Sequence, residues 1–288
     1  MAVTAGRNRL AQVGRVGGLR LDYGRQDGKT IVTRSSCSSP WHLFPPIYLD
    51  ETGQAHTLLL NPSGGLVGGD HLSIDLALAA EAQVLISTPS ANRVYRSVSD
   101  VSVQRIKMTV GPGAVLEWIP EVTIPFAGSR FCQTLYVKVK RGATVFLWDA
   151  IAAGRIARGE RWAFTSLENE IRITTASGEA VLERYHLIPG PTQEGIGLAK
   201  KWNYVASFYA ISDSIREERW KRLEESLGEI VDGCRDRVLA GVSEPSVQGR
   251  IVRLLTTSAP DLNAILYSIW TAARAQLLGL PVPALRRY

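Results

Sequence analysis

The chain has 288 residues, 45% hydrophobic and 21% charged, which is enough apolar content for a large core and too even a mixture for a disordered chain. Its formal net charge is +6, yet the densest basic group, Arg216 to Arg237, is interleaved with glutamates, which describes a solvated helix face and not a nucleic-acid footprint. No apolar run approaches the ~20 residues of a membrane-spanning helix, and no apolar block of signal-peptide length follows the basic N-terminal stretch, so a cytoplasmic protein is expected, with Cys37, Cys132 and Cys234 as reduced thiols.

In chain order, the first distinctive segment is NPSGGLVGGD at 61–70. Asn61, Pro62, Gly64, Gly65, Gly68 and Gly69 describe a backbone that turns sharply or passes close to another backbone. A phosphate loop does not fit. The glycines are paired, no Gly-Lys-Ser/Thr follows, and the next residues alternate as a strand, so no helix N-terminus is available for an anion.

Strand alternation follows at Leu72–Leu78, Val101–Val103, Val137–Val139 and Ile171–Ile173, separated by turn signals. Within this region a motif recurs: strand, tight turn, alanine, strand, at 76–89, 107–120, 136–149 and, more faintly, 172–186. Its alanines are Ala82, Ala114, Ala143 and Ala180. A period of roughly 30 residues describes units that bury their apolar faces by stacking, so a mainly β, stacked β-helical or layered body is expected over about residues 18–212.

From about 213 to 288 the pattern becomes helical. Trp220, Leu223, Leu227 and Ile230 form one stripe. A strand pair is expected at Val238–Val242 and Arg250–Leu255. A second helix opens at Pro260–Asp261, carries Leu262, Ile265, Leu266, Ile269, Trp270, Ala273 and Leu277 on one face, and stops at Gly279 and Pro281. The whole chain, 1–288, is expected to be a single domain with two C-terminal-region α-helices.

Candidate chemistry is sparse. The four histidines, His42, His56, His71 and His186, lack the spacing of a closed metal site, and no G-x-S-x-G elbow occurs. The carboxylates with interesting positions are Asp70, Asp75, Glu117, Glu121, Asp149 and Glu183. A pair such as Asp149 and Glu183 would suit a β-solenoid carbohydrate-active enzyme. The same acids, stacked through apolar layers, would suit weak and spaced ligation of a moving divalent cation.

Several blocks decide between these. NPSGGLVGGDHLSIDL (61–76), STPSANRVYRS (87–97), VGPGAVLEWIPEVTIPFAGSR (110–130), LWDAIAAGRIARGERW (147–162), LERYHL (182–187) and the closing VRLL…LYSIWTAARAQLLGLPVP resemble, in order, the motifs of the UreD (UreH) family of urease accessory proteins. Two positions depart from the family pattern: Val122 stands where a carboxylate is usual, with Glu121 one place earlier, and Trp148-Asp149 replaces Trp-Glu. The resemblance implies a non-enzymatic maturation factor that binds apo-urease, recruits UreF and, through it, UreG, and passes nickel(II) in transit with no tightly bound cofactor. Carried onto this chain, it implies Asp70, Ser87, Asp149 and Glu183 as a nickel path. It also implies, with the apolar stripes, Trp220, Leu223, Leu266 and Trp270 on the UreF side.

Overall fold

A computed structural model describes residues 15–190 and 201–285. Two sheets face each other. Sheet 1 contains β1 (Val16–Gln26), β2 (Lys29–Cys37), β5 (His71–Leu78), β8 (Ser102–Val110), β11 (Arg130–Val139), β13 (Ser166–Thr175) and β14 (Gly178–Leu187), in the order β14-β13-β11-β8-β5-β1-β2. Sheet 2 runs through β16 (Val238–Ser243), β17 (Gly249–Thr256), β15 (Tyr204–Ser212), β12 (Thr144–Ala152), β9 (Val115–Ile119), β6 (Gln83–Ser87), β4 (Ala55–Leu60) and β3 (His42–Leu43). The short β7 (Asn92–Val94) and β10 (Thr123–Pro125) pair with each other, and β10 also joins β12.

Three of the crossings from sheet 1 to sheet 2 are equivalent, β5 to β6, β8 to β9 and β11 to β12, and their strands pair in parallel. This is the stacked β coil that the recurring motif predicts. Each crossing is a four-residue turn closed onto an alanine: Ala82 N–H to Ala79 O, Ala114 N–H to Gly111 O and Ala143 N–H to Lys140 O, at 3.1–3.3 Å. The third residue of each turn, Glu81, Gly113 or Gly142, has φ between 59° and 77°, the signature of a type II turn. The alanines are fully buried because they point into the corner, and the turns hydrogen-bond to one another, for example Val115 N–H to Ala82 O and Thr144 N–H to Ala114 O, both 2.9 Å.

The fourth copy of the motif behaves differently. Thr175 and Gly178 pair across a tight reversal, and β13–β14 is an antiparallel hairpin within sheet 1. Ala180 is therefore a strand residue and not a corner. Beside β12 the place of a next parallel strand is taken by β15, which runs antiparallel.

Two helices cover the outer face of sheet 2: α1 (Glu217–Asp232) and α2 (Ala259–Ala273), the latter continued by a π turn at Arg274–Leu278 that ends on left-handed Gly279. The Ser258 hydroxyl caps α2 by accepting from Asp261 N–H (3.3 Å). The expected β16–β17 pair is antiparallel, with Val242 opposite Val252.

Trp220, Leu223, Leu266 and Trp270 pack with Phe146, Trp148 and Phe208 of the sheet and are at most 3% exposed. All four side chains are turned to the sheet. The apolar stripes fasten the helices to the sheet, because burying a large side chain there is worth ~1.5–3 kcal/mol.

Candidate functional site

The glycine loop is built for close approach. Leu66 N–H donates to Arg93 O and Tyr95 N–H to Leu66 O, both at 2.8 Å. A Cβ on Gly65 would overlap the Arg93 carbonyl, and one on Gly68 would overlap the Ser97 side chain. The loop thus forms one wall of a narrow cavity of about 70 Å³. The mouth lies between this loop, residues 88–92 and Pro120–Glu121, and the floor reaches Gln133 and Asp149.

At that floor a polar layer crosses the interior. Gln104, Gln133, Asn169 and Tyr185 occupy one in-register row across β8, β11, β13 and β14. Since alternate residues face the interior, one amide at the same height on three strands makes a ladder. Apolar positions flank it, with Ile106, Leu135 and Ile171 on one side and Phe131 and Leu167 on the other. On sheet 2 the facing row is Asp149, Ser207 and Arg253, in register across β12, β15 and β17.

Among the described residues the buried Asp149 carboxylate is hydrogen-bonded by amides alone. Gln133 Nε2 donates to Oδ1 (3.0 Å) and Asn169 Nδ2 to Oδ2 (2.8 Å), while Asn169 Nδ2 also reaches the Tyr185 hydroxyl (2.8 Å). Burial pushes the Asp149 carboxyl up to about 6. The two amides work against that rise, and the neighbouring Glu183 charge adds to it. Glu183 differs: its oxygens accept from Ser207 Oγ (2.9 Å) and Arg253 Nε (2.8 Å). Asp149 is thus a buried carboxylate at the cavity with no ion-pair partner among the described residues.

The other two residues of the expected path lie elsewhere. Asp70 is buried beneath the glycine loop, where its Oδ2 accepts from Val67 N–H (2.8 Å) and its carbonyl from Val103 N–H (2.7 Å). It caps the turn. Ser87 faces the helix side of sheet 2, with its hydroxyl 2.8 Å from His56 Nε2. Leu85, opposite His56, packs under the helices. Of the four residues of the expected path, Asp149 and Glu183 come together, and the sheet itself stands between them and Ser87. Among the described residues no group of three or more His, Cys, Asp or Glu could hold a metal ion, so His71 has no such partners.

Beneath α2 lies a second polar cluster. Glu117 and Arg274 form an ion pair that is 0% exposed on both sides. Trp270 Nε1 donates to Glu117 Oε2 (2.5 Å), Gln54 Nε2 to Glu117 Oε1 (2.7 Å), and Arg274 Nη1 to Gln54 Oε1 (3.1 Å). His56, close in sequence to Gln54 and on the same face, is held neutral down to about pH 4 by burial. Sequence reasoning noted Glu117 as an acid but missed its partner 157 positions away. It also missed Gln104, Gln133 and Asn169, whose signal was a lone amide in each of three otherwise apolar alternations. At the first departure from the family pattern Glu121 lines the cavity mouth and Val122 packs toward the helices, and at the second Asp149 is the acid of the polar layer.

Fold and interior together define a layered β-coil protein with a helical cover on one sheet and a polar layer through its core. A family model described as UreD urease accessory protein matches residues 15–288. A urease accessory protein UreD of Haloarcula marismortui is 31% identical over 280 residues, covering 96% of this chain and 91% of that protein. Those of Deinococcus radiodurans (37% over 194 residues, 67% of this chain and 69% of that protein) and Cupriavidus necator (28% over 272 residues, 93% and 92%) are similar as well. The chain belongs to the UreD family of urease accessory proteins.

Proposed function

We propose that this protein is a cytoplasmic, non-catalytic scaffold for urease maturation, which binds apo-urease, recruits UreF and through it UreG, and lets nickel(II) pass through its interior. The observation that carries the transit reading is Asp149, a carboxylate at the floor of an open-mouthed cavity, bonded only by amides. Carboxylate, amide and hydroxyl oxygens are weak, hard donors from which a divalent ion can leave again. The glycine loop, residues 88–92 and Glu121 form the entrance. UreF is assigned to the helix-covered side, where Tyr267 stays exposed while the stripes beneath are occupied. The carbohydrate-active alternative is less well supported, because Ser207 and Arg253 already occupy the Glu183 carboxylate.

The test is co-purification with UreF and urease, combined with urease activation in cells at limiting nickel. Asp149→Ala should assemble normally and activate poorly. Full activation would remove transit and leave the scaffold, whereas normal urease maturation in cells lacking this chain would remove both.

A further inference from the structure

We propose that Arg253 closes the far end of the polar layer, so that a cation leaves Asp149 toward the β14–β17 seam only when the Arg253–Glu183 ion pair opens. This rests on the transit reading above and concerns its control.

The placement is set by register. Asp149, Ser207 and Arg253 form one row on sheet 2, with Arg253 outermost on β17. Here the margins of the two sheets meet, as Ser246 Oγ donates to Glu179 O (3.0 Å) and Arg253 Nε to Glu183 Oε2 (2.8 Å). Arg253 Nη1 also reaches Ser243 Oγ of β16 (3.5 Å). The Glu183 side chain is 17% exposed and that of Arg253 is 52% exposed, so the guanidinium lies across the carboxylate from the solvent side.

Two consequences follow from its charge. A guanidinium cannot shed its proton in a folded protein, so a cation moving outward from Asp149 meets a like charge. The same guanidinium also satisfies Glu183, whose oxygens are then unavailable as the next ligand. With the pair closed the cavity has one working mouth, at the glycine loop. With Arg253 turned into solvent, Glu183 Oε2 becomes an available oxygen ligand one step beyond Asp149, while Oε1 keeps the Ser207 hydrogen bond. The turn is accessible because a half-exposed ion pair contributes little stability.

The experiment uses the full chain in complex with its accessory partners and apo-urease, given a pulse of limiting nickel(II), with the initial rate of urease activation as readout. Arg253→Gln should assemble as the wild type does and raise that rate about threefold or more, the scale on which a partly exposed ion pair acts. Arg253→Lys, which keeps the charge, should stay near wild type. An unchanged or lower rate in Arg253→Gln, with Asp149→Asn still slowing activation, overturns the closure and leaves transit standing. No effect from either substitution means that transit itself fails. Should Arg253→Gln not assemble, Arg253→Met, which keeps the aliphatic stem, removes the charge and leaves Glu183 in place, carries the same test: faster activation supports closure and wild-type or slower activation overturns it.

Discussion

The two faces of sheet 2 treat buried charge in opposite ways. On the helix face, Glu117 meets Arg274 directly and Gln54 and Trp270 complete its bonds. On the interior face, Asp149 meets only amides beside a cavity. A carboxylate whose countercharge is built in serves as a fastener. One left without it retains attraction for an arriving cation. The same contrast explains why β9 and β12, neighbours in one sheet, carry acids with different uses.

The largest expected effect comes from breaking the fastener. Glu117→Ala strands Arg274 in the core and should cost about 3–5 kcal/mol in denaturant unfolding. Replacing both partners by methionine should recover most of that loss. A Glu117→Ala protein as stable as the wild type would end the contrast between the faces.

Next come two pH slopes of opposite sign. The folded pKa of His56 is about 4 against an ordinary 6.5, so the unfolded chain takes up the proton first. Stability is lost as pH falls through that window, by up to about 3 kcal/mol. His56→Gln should be the more acid-resistant protein in thermal melts between pH 6.5 and 4. The folded pKa of Asp149 is about 6 against 3.8, so the folded state holds its proton longer. Stability therefore falls as pH rises from about 4 to 6, again by up to about 3 kcal/mol. Asp149→Asn should lack that decline. Because the windows overlap, the wild type should show a flatter profile than either variant, and parallel profiles for all three would mean that neither group is buried as described.

The smallest effect concerns the cover alone. Ser258→Ala removes the cap of α2 and should cost about 1 kcal/mol, with no change in activation at limiting nickel. A large activation defect would show that the helix cover and the interior are coupled.

Much of this was legible from residues. The period of the alanines gave the corners, because each sits where a turn points inward. The stripe Trp220–Leu223–Leu227 marked a helix face correctly, but periodicity cannot distinguish a face that docks a partner from one that packs on its own sheet. The glycine loop was visible as a close approach, though what it approaches, Arg93 and Tyr95, was not. Asp149 and Glu183 were chosen as acids in successive copies of the motif. They do meet, although β14 reached that place by folding back as a hairpin and not by continuing the coil. Asp70 and Ser87 lie apart from that pair for local reasons: one caps a turn and the other points through the opposite face, a matter of strand parity that depends on where each strand begins.

The amide row also constrains how the coil assembles. A one-residue misalignment of a strand would turn its apolar side outward and be rejected by the core, but a two-residue misalignment keeps that side inward and would pass unnoticed among Leu, Ile and Val. Gln133 and Asn169 remove this tolerance, since only one alignment of β11 and β13 brings both amides to Asp149. The residues that make the interior polar also act as a vernier, fixing the rungs of the coil against sliding.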